Sequence, residues 1–574
     1  MRNSILFAPM LAAFLAVSAT AQEHDGDWER SSIRHVLLIT IDGMHAVDFK
    51  NCSEGIGSVN GGKPYCPNLA ELGTTGVNYV AANTSKPSDS FPGLMNIVSG
   101  ATPRLMGVYY DVAYDRSLDG PATATGNGNA AGPCVPGATP TGYTTEYEEG
   151  LDIDQTKLNG GAPGAGLTEG GIASIDPAKL DRDPKAGCAP VYPWDFVRTN
   201  TIFGVIHKAG GYTAWSDKHP AYSSVAGHGG TNALDDFYSP EINSNVIALP
   251  GVTTPSGVSC ASVRDPGSDL TSWTNSFENV QCYDTLKVNA ILNEIEGKTH
   301  RGNPGKTPTL FGMNFQAVSV GQKLIESGAG KGGYLDAAGT PTGNLLGEIE
   351  FADDAIGEMV MKLKDRGLWE STLIVITAKH GQSPIDPNLY FPIPGKTNNG
   401  TSPATLLASL LPDSESPLNP NGIGPTEDDV SLLWLKNSSD TASAVSTLES
   451  NLKTAGIGQI FFGPSLALNY NWPGLPPNGD PRTPDIIVAP NVGVTYTGSG
   501  KKLMEHGGFA HDDINVMLLL SNPAFAPHTV YAEVGTLQVA PTILRVLGLD
   551  PRKLDGVRLE GTGVLPDVKL DFGH

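Results

Sequence analysis

Two apolar runs in the chain stop abruptly at polar residues. "LLITIDGM" (37–44) ends its hydrophobic stretch at Asp42-Gly43, and "LIVITAKHGQ" (373–382) ends at Lys379-His380-Gly381. Short β-branched runs without polar alternation predict strands buried on both faces. In open α/β sheets the carboxyl ends of such strands are where ligands bind. Between and beyond these runs the pattern alternates. Residues 66–100 read as helix, strand, loop and helix, and helix 201–211 feeds strand 212–216. Helix 283–297 precedes strand 309–318, and helix 344–366 precedes the strand at 373. Strand 429–437, helix 441–452, strands 484–490 and 514–521, and helix 536–548 follow. This alternation predicts an α/β fold with a mostly parallel, doubly wound sheet.

Three stretches lack any period and are read as insertions: about 117–190, 220–281 and 383–480. The first 21 residues carry one early positive charge, an apolar stretch and Ala19-Thr20-Ala21, the pattern of a cleaved secretory signal. Residues 22–574 are then expected to form one catalytic domain carrying the insertions. The expectation is a secreted or periplasmic protein with no membrane span. Six cysteines in such a chain suggest disulfides. Neighbours in sequence suggest Cys52–Cys66, Cys134–Cys188 and Cys260–Cys282, although six cysteines allow fifteen pairings.

The net charge of −23 disfavours nucleic-acid duplexes and anionic lipid. A small anionic substrate would need a local focus of positive charge, which bound metal commonly supplies. The chemistry-bearing residues fit that need. Asp42 and Lys379-His380 end predicted strands, "EHGGFAHDD" (505–513) precedes another, and Ser90 stands just before Phe91-Pro92 at a predicted helix start. A hydroxyl there faces unpaired backbone N–H groups, which favour an anion. Each residue also has an ordinary role: Ser90 as a helix cap, Asp42 as a turn residue, His380 and His506 as hydrogen-bonded structural histidines, Lys379 as a solvated lysine.

Taken together, "LLITIDGM", "SDSFPGLMNIVSGATP", "IVITAKHGQ", "EHGGF" and "VAPTILRVLGL" resemble the alkaline phosphatase superfamily, within it the type I phosphodiesterase/nucleotide pyrophosphatase branch. That resemblance implies an alkaline-phosphatase-like αβα sandwich with two divalent metals, usually zinc. It implies a hydroxyl nucleophile that is transiently phosphorylated. By position, Ser90 matches the nucleophile, and Asp42, Ser90 and His380 match ligands of the metal that activates it. His506 matches a ligand of the metal at the leaving group.

The departures are as specific as the matches. Lys379 stands where the family has an aspartate, Val318 and Gln322 occupy two further ligand positions, and Asp111 replaces a phosphate-binding asparagine. One metal ion is therefore expected rather than two, or none, with Lys379 supplying part of the missing positive charge and Asp111 pairing with it. Asp217, His219, His511, Asp512 and Asp513 are possible replacement ligands, with a surface loop the favoured setting for Asp217 and His219. The expected activity is hydrolysis of phosphodiester or nucleotide pyrophosphate bonds through a phosphoserine. The alternatives are a sulfatase-like or phosphomonoester hydrolase, or a catalytically silent member that binds an anion.

Overall fold

Along His35–Ile41 every residue after the first is buried, and successive side chains enter two different cores. Val36 and Leu38 join one, while Leu37, Ile39 and Ile41 join the other. The computed structural model describes residues 32–124, 131–147, 172–228, 230–243, 249–262, 273–395, 400–412, 426–497, 500 and 502–568. The apolar segment predicted to be a signal lies outside them.

In chain order the strands are β1 (His35–Ile41), β2 (Gly76–Tyr79), β3 (Ala214–Ser216), β4 (Asp236–Tyr238), β5 (Leu310–Phe315) and β6 (Thr372–Thr377). Next come β7 (Thr426–Glu427), β8 (Ser431–Leu433), β9 (Ile457–Phe462) and β10 (Ile486–Pro490), then β11 (Leu518–Ser521) and β12 (His528–Val530). The main sheet has the order β12-β2-β11-β6-β1-β5-β3-β4. Strand β11 runs antiparallel to both neighbours, and every other adjacent pair is parallel. Helices α1 (Ser90–Ser99) and α5 (Val539–Val546) cover one face. Helices α2 (Phe277–Ile295) and α4 (Gly343–Asp365) cover the other, with the short α3 (Ala317–Lys323) between them in sequence. The chain therefore has the expected α/β architecture of helices on both faces of a mostly parallel sheet.

Two expectations change. The runs at 429–437 and 484–490 do form strands, but they pair in a separate antiparallel sheet, β7-β8-β10-β9, over its own apolar core. A buried apolar run specifies a strand without specifying which sheet receives it. The run at 309–318 ends as a strand at Phe315, because the Asp284 carboxylate accepts the Gln316 and Ala317 backbone N–H groups at 2.7 and 2.9 Å and turns the chain into α3. The three disulfides are Cys52–Cys66, Cys134–Cys188 and Cys260–Cys282, the pairing by sequence neighbours. Among the described residues no helix is long and apolar enough to cross a membrane.

Strand periodicity sets up the site. Residues two apart share a sheet face, and Leu38, Gly312, Val375 and Trp215 lie on or next to the face covered by α1. Continuing that parity past the strand ends leads to Asp42, Asn314, Lys379 and Asp217. Helix α1 then approaches closely. A Cβ on Gly93 would sit 2.0 Å from the Lys379 carbonyl oxygen, a contact that only glycine avoids. Gly93→Ala is expected to push α1 off the end of β6 and to destabilise the fold by about 1–3 kcal/mol, the usual cost of overpacking. Urea unfolding checks this; an unchanged midpoint would show that the approach is not tight.

Candidate active site

The Ser90 hydroxyl is the meeting point. Asp89, not Ser90, caps α1, its carboxylate accepting the Phe91 N–H at 3.1 Å, so the Ser90 side chain is not consumed as a cap. The Lys218 ammonium donates to Ser90 Oγ at 3.1 Å, and His380 Nε2 lies 3.2 Å from the same oxygen. Asp42 Oδ2 is 3.4 Å from Ser90 Oγ and 3.7 Å from His380 Nε2. His380 Nδ1 faces the Gly381 carbonyl at 2.9 Å. A carbonyl only accepts, so Nδ1 carries a hydrogen, and in the neutral ring Nε2 is the acceptor that faces the Ser90 hydroxyl. Ser90, Asp42 and His380 are buried, whereas the side chains of Lys218 and His506 keep 11% and 13% of their surface exposed and form the solvent-facing side of the cluster.

Asp42 is saturated by amides. Asn314 Nδ2 donates to Oδ1 at 2.8 Å and Gln316 Nε2 to Oδ2 at 2.6 Å. Burial pushes the Asp42 carboxyl up, but the charge of Lys379, the hydrogen bond and charge that His380 adds when protonated, and the charge of Lys218 outweigh it and hold the group well below the usual carboxylate range. Asp42 is an anion throughout the physiological range.

The structure brings Asp42, Ser90 and His380 together as the strand ends predict, and it relocates the others. Lys379 does not pair with Asp111. Its ammonium contacts both oxygens of Asp217, at 2.8 and 3.1 Å, and sits 3.9 Å from the centre of the Tyr222 ring. Asp217 and His219 are buried rather than on a surface loop; Asp217 also accepts from Trp215, and His219 Nδ1 meets Glu241 at 2.8 Å. The Asp111 N–H donates to Asp89 Oδ2 at 3.0 Å, and the Asp111 carboxylate accepts from Val112. His506 lies beside His380 with ring centres 4.1 Å apart and the planes tilted by 39°. Burial, followed by the neighbouring His380 and lysine charges, keeps it neutral. His511 is exposed, and Asp513 is buried against Asp429 away from Ser90. Sequence patterns missed Lys218, Asn314 and Gln316, because a lysine beside a short strand is ordinarily solvated and the two amides interrupt an otherwise apolar run.

Residues 36–151 and 333–511, just over half of the chain, match the family described as type I phosphodiesterase / nucleotide pyrophosphatase. The chain belongs to this family. Similar curated proteins are the bis(5'-adenosyl)-triphosphatase enpp4 of Mus musculus, 23% identical over 226 residues, and its Bos taurus counterpart, 22% identical over 227. Each match covers 37% of this chain and 41% of the relative, so the chain spans about two fifths of their length. Among solved structures, murine ectonucleotide pyrophosphatase / phosphodiesterase 5 aligns with a TM-score of 0.50 at 13% identity, over 90% of this chain and 96% of that one. An inactive form of the same murine protein in complex with AMP aligns equally well. These structures support the fold. The segment between the two matched parts holds Lys218, Asn314, Gln316, Val318 and Gln322.

The family is metal-dependent in general, and the donors present here do not suit a metal. Among the described residues no three His, Cys, Asp or Glu side chains are grouped to hold one. Asp42, Ser90 and His380 lie close together, but the Lys218 ammonium is 3.1 Å from Ser90 Oγ and 3.9 Å from Asp42 Oδ2, and both Asp42 oxygens already accept amide protons. At the leaving-group position Val318 has no donor atom. Gln322 Oε1, the amide atom able to bind a metal, accepts from Gln382 Nε2 at 2.6 Å.

Two predictions follow from the buried charges. Lys379 and Asp217 side chains are fully buried, so removing one partner strands the other. Lys379→Met is expected to cost about 3–5 kcal/mol, measured by denaturant unfolding, and adding Asp217→Asn to recover part of it; additive losses would contradict the pairing. Separately, burial raises Asp429 well above the carboxylate range, and burial with the charge of Asp512 raises Asp513 from 3.8 to about 7. At Asp513 the folded state keeps a proton that the unfolded chain loses near pH 4, so the stability this group contributes falls as pH rises from about 4 to about 7. Asp513→Asn is expected to flatten this fall in melting temperature between pH 5 and 8; an identical slope in both proteins would refute it.

Proposed function

We propose that the chain hydrolyses phosphate-type esters, phosphodiesters or nucleotide pyrophosphates, with Ser90 as nucleophile. The observation that carries this reading is a single hydroxyl oxygen held between an imidazole nitrogen able to accept its proton and an ammonium able to stabilise its negative charge. Membership of the phosphodiesterase family supports the bond type. The activity named for the similar curated proteins, bis(5'-adenosyl)-triphosphatase, supports nucleotide-like esters.

Chemically, Ser90 Oγ attacks phosphorus as its proton passes to His380 Nε2. The Oγ–P bond forms, the bond from phosphorus to the leaving oxygen breaks, and the imidazolium returns its proton to that oxygen. Water then attacks the phosphoserine, gives a proton to Nε2 and displaces Oγ, which takes the proton back. The two lysines are offset by Asp42 and Asp217, so the site is only weakly cationic. It suits a singly charged diester better than a doubly charged monoester. Three disulfides and the signal-like amino terminus support export to an oxidising compartment.

Val318 and Gln322 favour one other reading, a silent member that binds an anionic ligand without turning it over. Hydrolysis of bis(nitrophenyl) phosphate, nitrophenyl phosphate and nitrophenyl sulfate separates the possibilities. The proposal expects faster release from the diester than from the other two, loss to background with Ser90→Ala, and a loss of about 100-fold or more with His380→Ala. Turnover unaffected by Ser90→Ala, or none in the unaltered protein, would overturn it.

A further inference from the structure

We infer that the Lys218 ammonium takes the place of the nucleophile-side metal, so that this member of the family works at Ser90 without a bound metal ion. The inference rests on the hydrolytic reading above for its catalytic part, and on geometry alone for its charge-replacement part.

Four observations converge. Lys218 Nζ is 3.1 Å from Ser90 Oγ and 3.9 Å from Asp42 Oδ2, placing a positive charge beside the hydroxyl and the carboxylate that the family resemblance assigns to metal binding. Asp42 is met by neutral donors, Asn314 donating to one of its oxygens and Gln316 to the other. Those donors are built in. Gln316 leads the turn held by Asp284, and Asp284 pairs at 2.9 Å with the fully buried Lys287, so the amide that faces Asp42 has a rigid support. Finally, two strand ends separated by β1 and β5 carry opposite charges. A lysine follows β6 and a carboxylate, Asp217, follows β3, and the two neutralise one another. A divalent ion added to this cluster would meet two ammonium groups at close range and would have to displace amide protons from its carboxylate.

The ammonium also has a chemical advantage specific to this geometry. It donates to Oγ directly, so negative charge that develops there during attack is met by a fixed N–H without rearrangement. Lys218 is bonded to the reacting atom and belongs to the catalytic group in its own right.

The test uses the full chain, exposed to zinc and desalted, with metal content measured and zinc titrated by calorimetry. The expected result is no zinc held at the site, diester hydrolysis undiminished by a chelator, and a loss of about 100-fold or more in kcat for Lys218→Ala. Lys218→Arg should lose less than Lys218→Ala, because it keeps the charge. One zinc per chain that is released by His380→Ala, or hydrolysis that chelation abolishes, would overturn the inference while leaving Ser90 hydrolysis standing. Zinc that persists in His380→Ala lies elsewhere and supports it. A protein that hydrolyses nothing defeats the functional proposal, and the zinc titration then decides the charge replacement by itself.

Discussion

A strand buried on both faces can carry polar side chains only where it ends, and this constraint organises the molecule. Inside the main sheet the strands must be apolar, because an unpaired polar group there would cost several kcal/mol. At the carboxyl edge β1, β5, β6 and β3 lie side by side, and each releases polar residues on the face that α1 covers. Asp42, Asn314 with Gln316, Lys379 with His380, and Asp217 with Lys218 thus reach one small volume from four separate parts of the chain. Helix α1 closes it by delivering Ser90, and Gly93 permits the approach.

Once such groups share a buried volume, their charges must balance. Asp42 and Asp217 are met by Lys218, Lys379 and amide donors, and the hydrogen bonds assign each charge a partner. This arrangement explains why departures from the family pattern occur together. A lysine after β6 is tolerable because a carboxylate follows β3. An aspartate after β1 without a metal is tolerable because β5 supplies amides. Any one change alone would leave a buried charge without a counterpart.

The fold and part of the site were legible in the sequence because both rest on local pattern. The apolar runs of β1 and β6 announce buried strands, and the residues that interrupt them announce the edge. Asp42, Ser90 and His380 therefore meet as the pattern suggests. What resisted reading depends on distance in space rather than in sequence. Lys379 pairs with a residue 162 positions away, and nothing near either residue says that β3 lies on the same side as β6. Lys218 is flanked by Asp217 and His219, which draw attention as ligands, while the lysine between them is what reaches the nucleophile. Strands β8 and β10 were legible but their separate sheet was not, since they carry buried apolar runs like those of the main sheet.

The central claim is that an ammonium, rather than a metal, faces the Ser90 hydroxyl. Anomalous diffraction at the zinc edge from crystals grown with zinc addresses it most directly. The account predicts no anomalous peak between Asp42, Ser90 and His380, with Lys218 Nζ within hydrogen-bonding reach of Ser90 Oγ. A peak bonded to those three residues, with the lysine turned aside, would contradict it.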